Sequence, residues 1–291
     1  MSALTSPSDV GDVNDAITMA RIRARSVRPR WRMPFFLRFF CVMTETRWYL
    51  RLLGQIALTG PDAAAAERVM VQPKHLALLC YLALGVDARP DVVRHHRRDE
   101  LAALLWPDLD DTHARASLRR VVHQIRGALG ASVVISRGDE EIALDRSAVT
   151  SDAEAFERLV AEGHLVAALE LWRGELMPGF HVGECDALER RFDERRQHLR
   201  EGAGAAAWAL AQRLEASDEL SQATSWARRV PRFSPDDERV LRRVLTMLDR
   251  LGDRAGALRV YDDFAVRLRK EFEAEPSDET RTLIARIRGL G

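Results

Sequence analysis

The hydrophobic period of this chain changes along its length, and that change restricts the fold more than any single residue. YLRLLGQIALTG, from Tyr49 to Gly60, sets Leu50 and Leu52, then Ile56 and Leu58, on alternate positions, the mark of half-buried strands. ERVMVQ follows, so two or three short strands are expected to open the fold. From Pro73 to Gly85 the period becomes helical, with Leu76, Leu79, Cys80 and Leu84 down one side and the proline where a first turn tolerates it. Arg98 to Trp106 reads as a second helix ended by Pro107. A third, capped by Asp110, Asp111 or Thr112, runs to Leu129 and closes at Gly130. SVVIS and EIALD, separated by a polar turn, then form a hairpin.

Strands, three helices and a terminal hairpin are the element order of a winged helix-turn-helix. After Asp145 the chain reads as helical almost throughout. GHLVAALELW, DELSQATSWA and GDRAGALRVY share a polar or glycine start, an alanine and a following aromatic residue. Ala223 and Ala257 are 34 residues apart, the tetratricopeptide period. The 55 residues from Ala168 to Ala223 leave room for an insertion or longer helices. The expected fold is therefore mainly α: a winged helix-turn-helix over 49–146, then an all-α tetratricopeptide-like repeat over 147–291. Residues 1–48 carry Arg21, Arg23, Arg25, Arg28, Arg30 and Arg32 without an acid among them. They read as a disordered basic arm, as a phosphate-gripping tail, or as an untranslated extension ahead of a start at Met43.

A chain of 291 residues with 46% hydrophobic and 30% charged positions can bury a sizeable core, which excludes disordered and fibrous classes. Lys+Arg and Asp+Glu are both 44, so any nucleic-acid surface must come from uneven placement of charge. Such a place exists. Between Thr112 and Leu129 stand Arg115, Arg119, Arg120 and Arg126 and no acid. On a helical wheel Leu118, Val122, Ile125 and Leu129 form the inward stripe, with Ala114 and Val121 beside it. Arg119, Arg120, His123 and Gln124 lie opposite, with Arg115 and Arg126 at the margins. Arginine pairs with guanine edges and with phosphates, and Gln or His adds base-edge hydrogen bonds, so this face suits a major groove. Arg137 at the hairpin tip and Arg98 at the start of the second helix would add positional contacts, although Asp139, Glu140 and Glu141 make the wing a poor cation.

Catalysis finds no foothold. The histidines are scattered, His95 and His96 read as loop residues, and no phosphate-binding loop, dinucleotide fingerprint or nucleophile elbow occurs. No enzyme, cofactor or metal is expected. Cys41, Cys80 and Cys185 lack metal or disulfide spacing and read as reduced thiols, with Cys80 in a core. MPFFLRFFCVM, at 33–43, is about half the length needed to span a bilayer. A cytoplasmic protein without a membrane partner is expected.

LRLLGQIAL, PKHLALLCYLAL, RDELAALLWPD, ARASLRRVVHQIRGALG, VISRGDEEIALD, SDAEAFERL, LWRGELMPGF and GDRAGALRVYDDFAVRLRKEFEAEPSDETRTLIARI occur in an order that resembles SARP-type bacterial transcriptional regulators. These join an OmpR-like winged helix to a bacterial transcriptional activator domain. The resemblance implies a DNA-binding activator that docks its third helix at promoter direct repeats. Double-stranded promoter DNA, RNA polymerase and a second copy of the chain are the implied partners; the residues show no evident small-molecule ligand. Carried over by position, base reading falls on Arg119, Arg120, His123 and Gln124, and phosphate contact on Arg115 and Arg126. An alternative is a repeat scaffold whose winged helix contacts protein.

Overall fold

The computed structural model describes residues 47–85 and 94–289. The arm readings of residues 1–46, with Cys41 and Met43, lie outside the described residues. Strand β1 (Trp48–Arg51) begins one residue earlier than its period suggested and pairs antiparallel with β2 (Ala57–Thr59), Leu50 opposite Leu58. The expected alternation is seen, because Leu50, Leu52 and Leu58 are all buried.

ERVMVQ is not a strand. Its first part completes helix α1 (Ala63–Met70), which Asp62 caps by accepting hydrogen bonds from the amides of Ala64 and Ala65 at 2.9 and 3.1 Å. A cap followed by consecutive alanines, the best helix formers, outweighs the strand preference of two valines. Helix α2 (Pro73–Leu84) follows, and every residue from Leu76 to Leu84 is buried. A one-sided stripe was expected; the helix is apolar all round because neighbouring elements enclose it.

Strand β3 (His96–Arg97), helix α3 (Arg98–Leu105), helix α4 (Asp111–Leu129), strands β4 (Val134–Arg137) and β5 (Glu141–Leu144) complete the winged helix. The second sheet has the order β3-β5-β4, with Ser136 opposite Ile142 in the hairpin. His95 and His96 were expected in a loop. Instead His96 lies in β3, is 5% exposed, and packs edge-on against Tyr81 with ring centroids 5.1 Å apart.

Strand β6 (Val149–Ser151) returns to the first sheet and pairs parallel with β1, Leu50 opposite Ser151. Asp152 opens helix α5 (Asp152–Ala161) and is itself buried. Its carboxylate accepts hydrogen bonds from the amides of Leu52 and Leu53 at 2.7 and 3.1 Å, satisfying the backbone donors at the point where β1 leaves its sheet. The chain approaches this point again at 174–177. Gly54 donates to the carbonyl of Glu175 at 2.9 Å, and the amide of Met177 donates to Leu52 at 2.8 Å. Gly54 has φ +85°, and a Cβ there would meet the Arg173 backbone at 2.8 Å, so only glycine permits this crossing.

The remaining helices form pairs: α5 with α6 (Leu165–Leu171), α7 (Asp186–Ala216) with α8 (Leu220–Ala227), and α9 (Glu238–Arg250) with α10 (Arg254–Phe272), followed by α11 (Asp278–Arg288). The repeat alanines Ala168, Ala223 and Ala257 are each 0% exposed, as close helix approach requires. The long interval before Ala223 is filled by the 31-residue α7 and the segment that crosses β1. Phe156, Trp172 and Phe233 make a chain of ring contacts at 5.5 and 5.8 Å that links successive pairs. The Asp152 carboxylate makes a direct prediction. Asp152→Ala strands two amides without an acceptor and is expected to lower the unfolding free energy by about 3 kcal/mol, measurable by urea denaturation followed by circular dichroism.

Candidate nucleic-acid interface

Helix α4 is built from its first residue to present one face. Asp110 caps it, accepting from the amides of Thr112 and His113 at 3.0 and 3.1 Å. Gly130, at φ +112°, ends it in a conformation that L side chains rarely adopt. Ala114, Leu118, Val121, Val122, Ile125 and Leu129 are buried, so the two adjacent valines both face inward. Trp48 secures the far end by donating its indole N–H to the carbonyl of Leu129 at 2.7 Å.

On the opposite side Arg115, Arg119, Arg120, His123 and Gln124 are exposed. Arg115, Arg119 and His123 succeed one another at four-residue intervals and therefore share a ridge. Among the described residues none of Arg115, Arg119 and Arg120 has an acidic partner. Gln124 differs: its Oε1 lies 2.9 Å from Nε2 of His75 on α2, which ties one edge of the face to the neighbouring helix.

Of the two residues at the wheel's margins, Arg126 is more engaged than the wheel indicated. Arg126 is half-buried and donates through Nε to the carbonyl of Val134 at 2.8 Å and through Nη2 to Ser136 Oγ at 2.9 Å. It braces α4 against the wing. Arg98 donates to the same Ser136 Oγ at 2.9 Å, while its buried Nε has no partner. Burial, and then the charge of Arg126, pull the Arg98 guanidinium below its usual range. Two guanidinium groups thus converge on one hydroxyl. Arg137 pairs with Glu141, its Nε 2.5 Å from Oε2, so the wing tip is electrically neutralised by its own strand, in keeping with the acids read beside it. Sequence reading missed Ser136, His75 and Trp48 as organisers of this surface. A polar residue inside an apolar hairpin strand was the available sign for Ser136; the other two contacts arise only from tertiary packing.

The geometry defines a class: a helix-turn-helix with a hairpin wing, fused to helical repeats, presenting an arginine-rich second helix. The bacterial transcriptional activator domain profile matches residues 141–288, and the chain belongs to that family, as the SARP-type resemblance implied. A solved structure titled Mycobacterium tuberculosis EmbR in complex with low affinity phosphopeptide is similar in fold, with TM-score 0.54 and 22% identity. The match covers 84% of this chain and 66% of that one, so the chain spans somewhat less than two thirds of its relative's length. A comparison with curated proteins finds no match. Among the described residues no helix is long and apolar enough to cross a membrane, and no group of three or more His, Cys, Asp or Glu is placed to hold a metal ion.

Two predictions arise from this surface. His96 is buried, with Arg94, His95 and Arg191 adding like charge, and its pKa falls to about 4 from the ordinary 6.5. The unfolded chain therefore binds the proton first, and stability present above pH 6.5 is lost as pH falls toward 4. About 3 kcal/mol is at stake; between pH 6.5 and 4 the urea midpoint of wild type should fall further than that of His96→Phe, which has no imidazole to protonate. Separately, Arg126→Ala should cost about 1 to 2 kcal/mol of unfolding free energy through loss of its carbonyl and hydroxyl contacts, read from the same denaturation curves.

Proposed function

We propose that this chain is a promoter-DNA-binding transcriptional activator that inserts α4 into the major groove. The observation that carries the reading is the exposed, acid-free face of Arg115, Arg119, Arg120 and His123 on the second helix of a helix-turn-helix. A solvated helix normally mixes signs, whereas uncompensated guanidinium groups on a convex ridge complement base edges and phosphates. Arg119, Arg120 and His123 are assigned to base edges. Gln124 reaches them from its anchored position beside His75, and Arg115 meets phosphate.

Arg98 and Arg126 with Ser136 form a second contact, to a phosphate flanking the groove. The unpartnered Nε of Arg98 and the mutual repulsion of the two cations favour an anion there. Arg137, held by Glu141, contributes little. With a formal net charge of +0, non-specific attraction to DNA is weak, so two copies on direct repeats gain occupancy from effective concentration. The helical pairs are assigned to contacts between copies and with RNA polymerase.

Arg119→Ala combined with Arg120→Ala is expected to abolish retention of promoter fragments selected by genome-wide DNA capture with the purified protein, with a native circular dichroism spectrum. Normal retention by the folded double variant would remove α4 from the groove.

A further inference from the structure

Lys74 occupies the first turn of α2, and its ammonium reaches across to the helical repeats. Nζ lies 2.8 Å from Sγ of Cys185 and 2.7 Å from the carbonyl oxygen of Leu105, the last residue of α3. The Cys185 thiol is 3.3 Å from the same carbonyl. The nitrogen–sulfur contact is well inside the sum of the two van der Waals radii, and it suits a pair of atoms joined through one bent oxygen.

The choice of residue is informative. Of the 44 basic residues only Lys74 and Lys270 are lysines. Elsewhere the chain meets backbone carbonyls with arginine: Arg126 on Val134, Arg196 on Leu176 and Phe180, Arg213 on Gly163. At position 74 it uses an amine, which can lose a proton and become a nucleophile, as a guanidinium cannot. Cys80 provides the contrast. Both thiols are buried, but Cys80 is enclosed by apolar residues within α2, which pushes its thiol up, and among the described residues no amine faces it.

We propose that Lys74 and Cys185 are a modification site, at which a peroxide oxidant joins the amine nitrogen and the sulfur through a bridging oxygen. One peroxide converts the Cys185 thiol to sulfenic acid and releases water. Lys74 gives its proton to solvent, and a second peroxide converts the resulting amine to a hydroxylamine and releases another water. The hydroxylamine oxygen then attacks the sulfenic sulfur, forming the O–S bond as the S–OH bond breaks, and a third water leaves. Sulfur and nitrogen are each oxidised by two electrons and two peroxides are reduced. Thiol reductant in excess returns amine, thiol and water. The bridge would fasten the start of α2 to the start of α7, closing a loop whose ends are 111 residues apart, and so couple the winged helix covalently to the repeats.

The experiment is peptide mapping by mass spectrometry of the purified full chain after graded hydrogen peroxide, with oxidation of the half-buried Met70 as the internal measure of dose. The expected product links the segments carrying Lys74 and Cys185, with a gain of one oxygen and a loss of two hydrogens, and dithiothreitol reverses it. The same sample should melt at a higher temperature before reduction than after it. Cys185→Ser and Lys74→Arg should each eliminate the product; the second keeps the cation and the carbonyl hydrogen bond, so its fold is retained. Cys185 ending as unlinked sulfinic acid with no bridged product at any dose, linked without the oxygen, or unmodified at doses that oxidise methionine would overturn the proposal.

Discussion

The Asp152 carboxylate is the point at which the molecule is joined. It is buried, it accepts from two consecutive amides at the end of β1, and it begins the first helix of the repeats. Desolvation pushes its carboxyl up, while the two amides and that of Ala153 pull it down. A buried carboxylate is costly unless its lone pairs are filled, and here backbone donors that would otherwise be orphaned fill them. The strand pair above it and the Leu53–Leu176 bridge beside it depend on that arrangement. The winged helix therefore has no hinge-like separation from the repeats at this point: one hydrogen-bonded cluster belongs to both.

That junction also orients the candidate interface. Trp48, next to the cluster in β1, holds the end of α4 through its indole N–H, so a network beginning at Asp152 ends at the arginine-rich helix. Arg126 and Arg98 fix the other flank through Ser136. The exposed face of α4 is thus supported at both flanks, which limits the displacement of its side chains.

Much of this was legible in the sequence, and the reasons are physical. The stripe from Ala114 to Leu129 repeats at helical spacing for about four turns and faces a single core, so periodicity alone orients Arg115, Arg119, Arg120 and His123. The repeat alanines were visible because close helix packing admits small residues only. The misreadings have equally concrete causes. Val69 and Val71 carry strand preference, but the Asp62 cap and the alanine run decided the local competition in favour of α1. His96 looked like part of a polar loop because HHRRD has no apolar period, yet pairing with β5 and the Tyr81 ring bury it. Arg126 lay at the margin of a wheel, which contains no information about a strand eight residues away folding back over it. Gln124 with His75, and Lys74 with Cys185, join residues 49 and 111 positions apart; separations of that kind leave no local trace.

The parallel pairing of β1 with β6 has a consequence for synthesis. Strand β1 pairs with β2 early but finds its second sheet partner only when residues 149–151 have been made, and the amides of Leu52 and Leu53 wait still longer, for Asp152. A ribosome that has already released the arginine-rich helix therefore carries a winged helix with an open flank, which non-local pairing closes slowly. Until then Leu52 and Leu53, buried in the finished protein, lack the segments that cover them, and a nascent chain held there would be a target for chaperones.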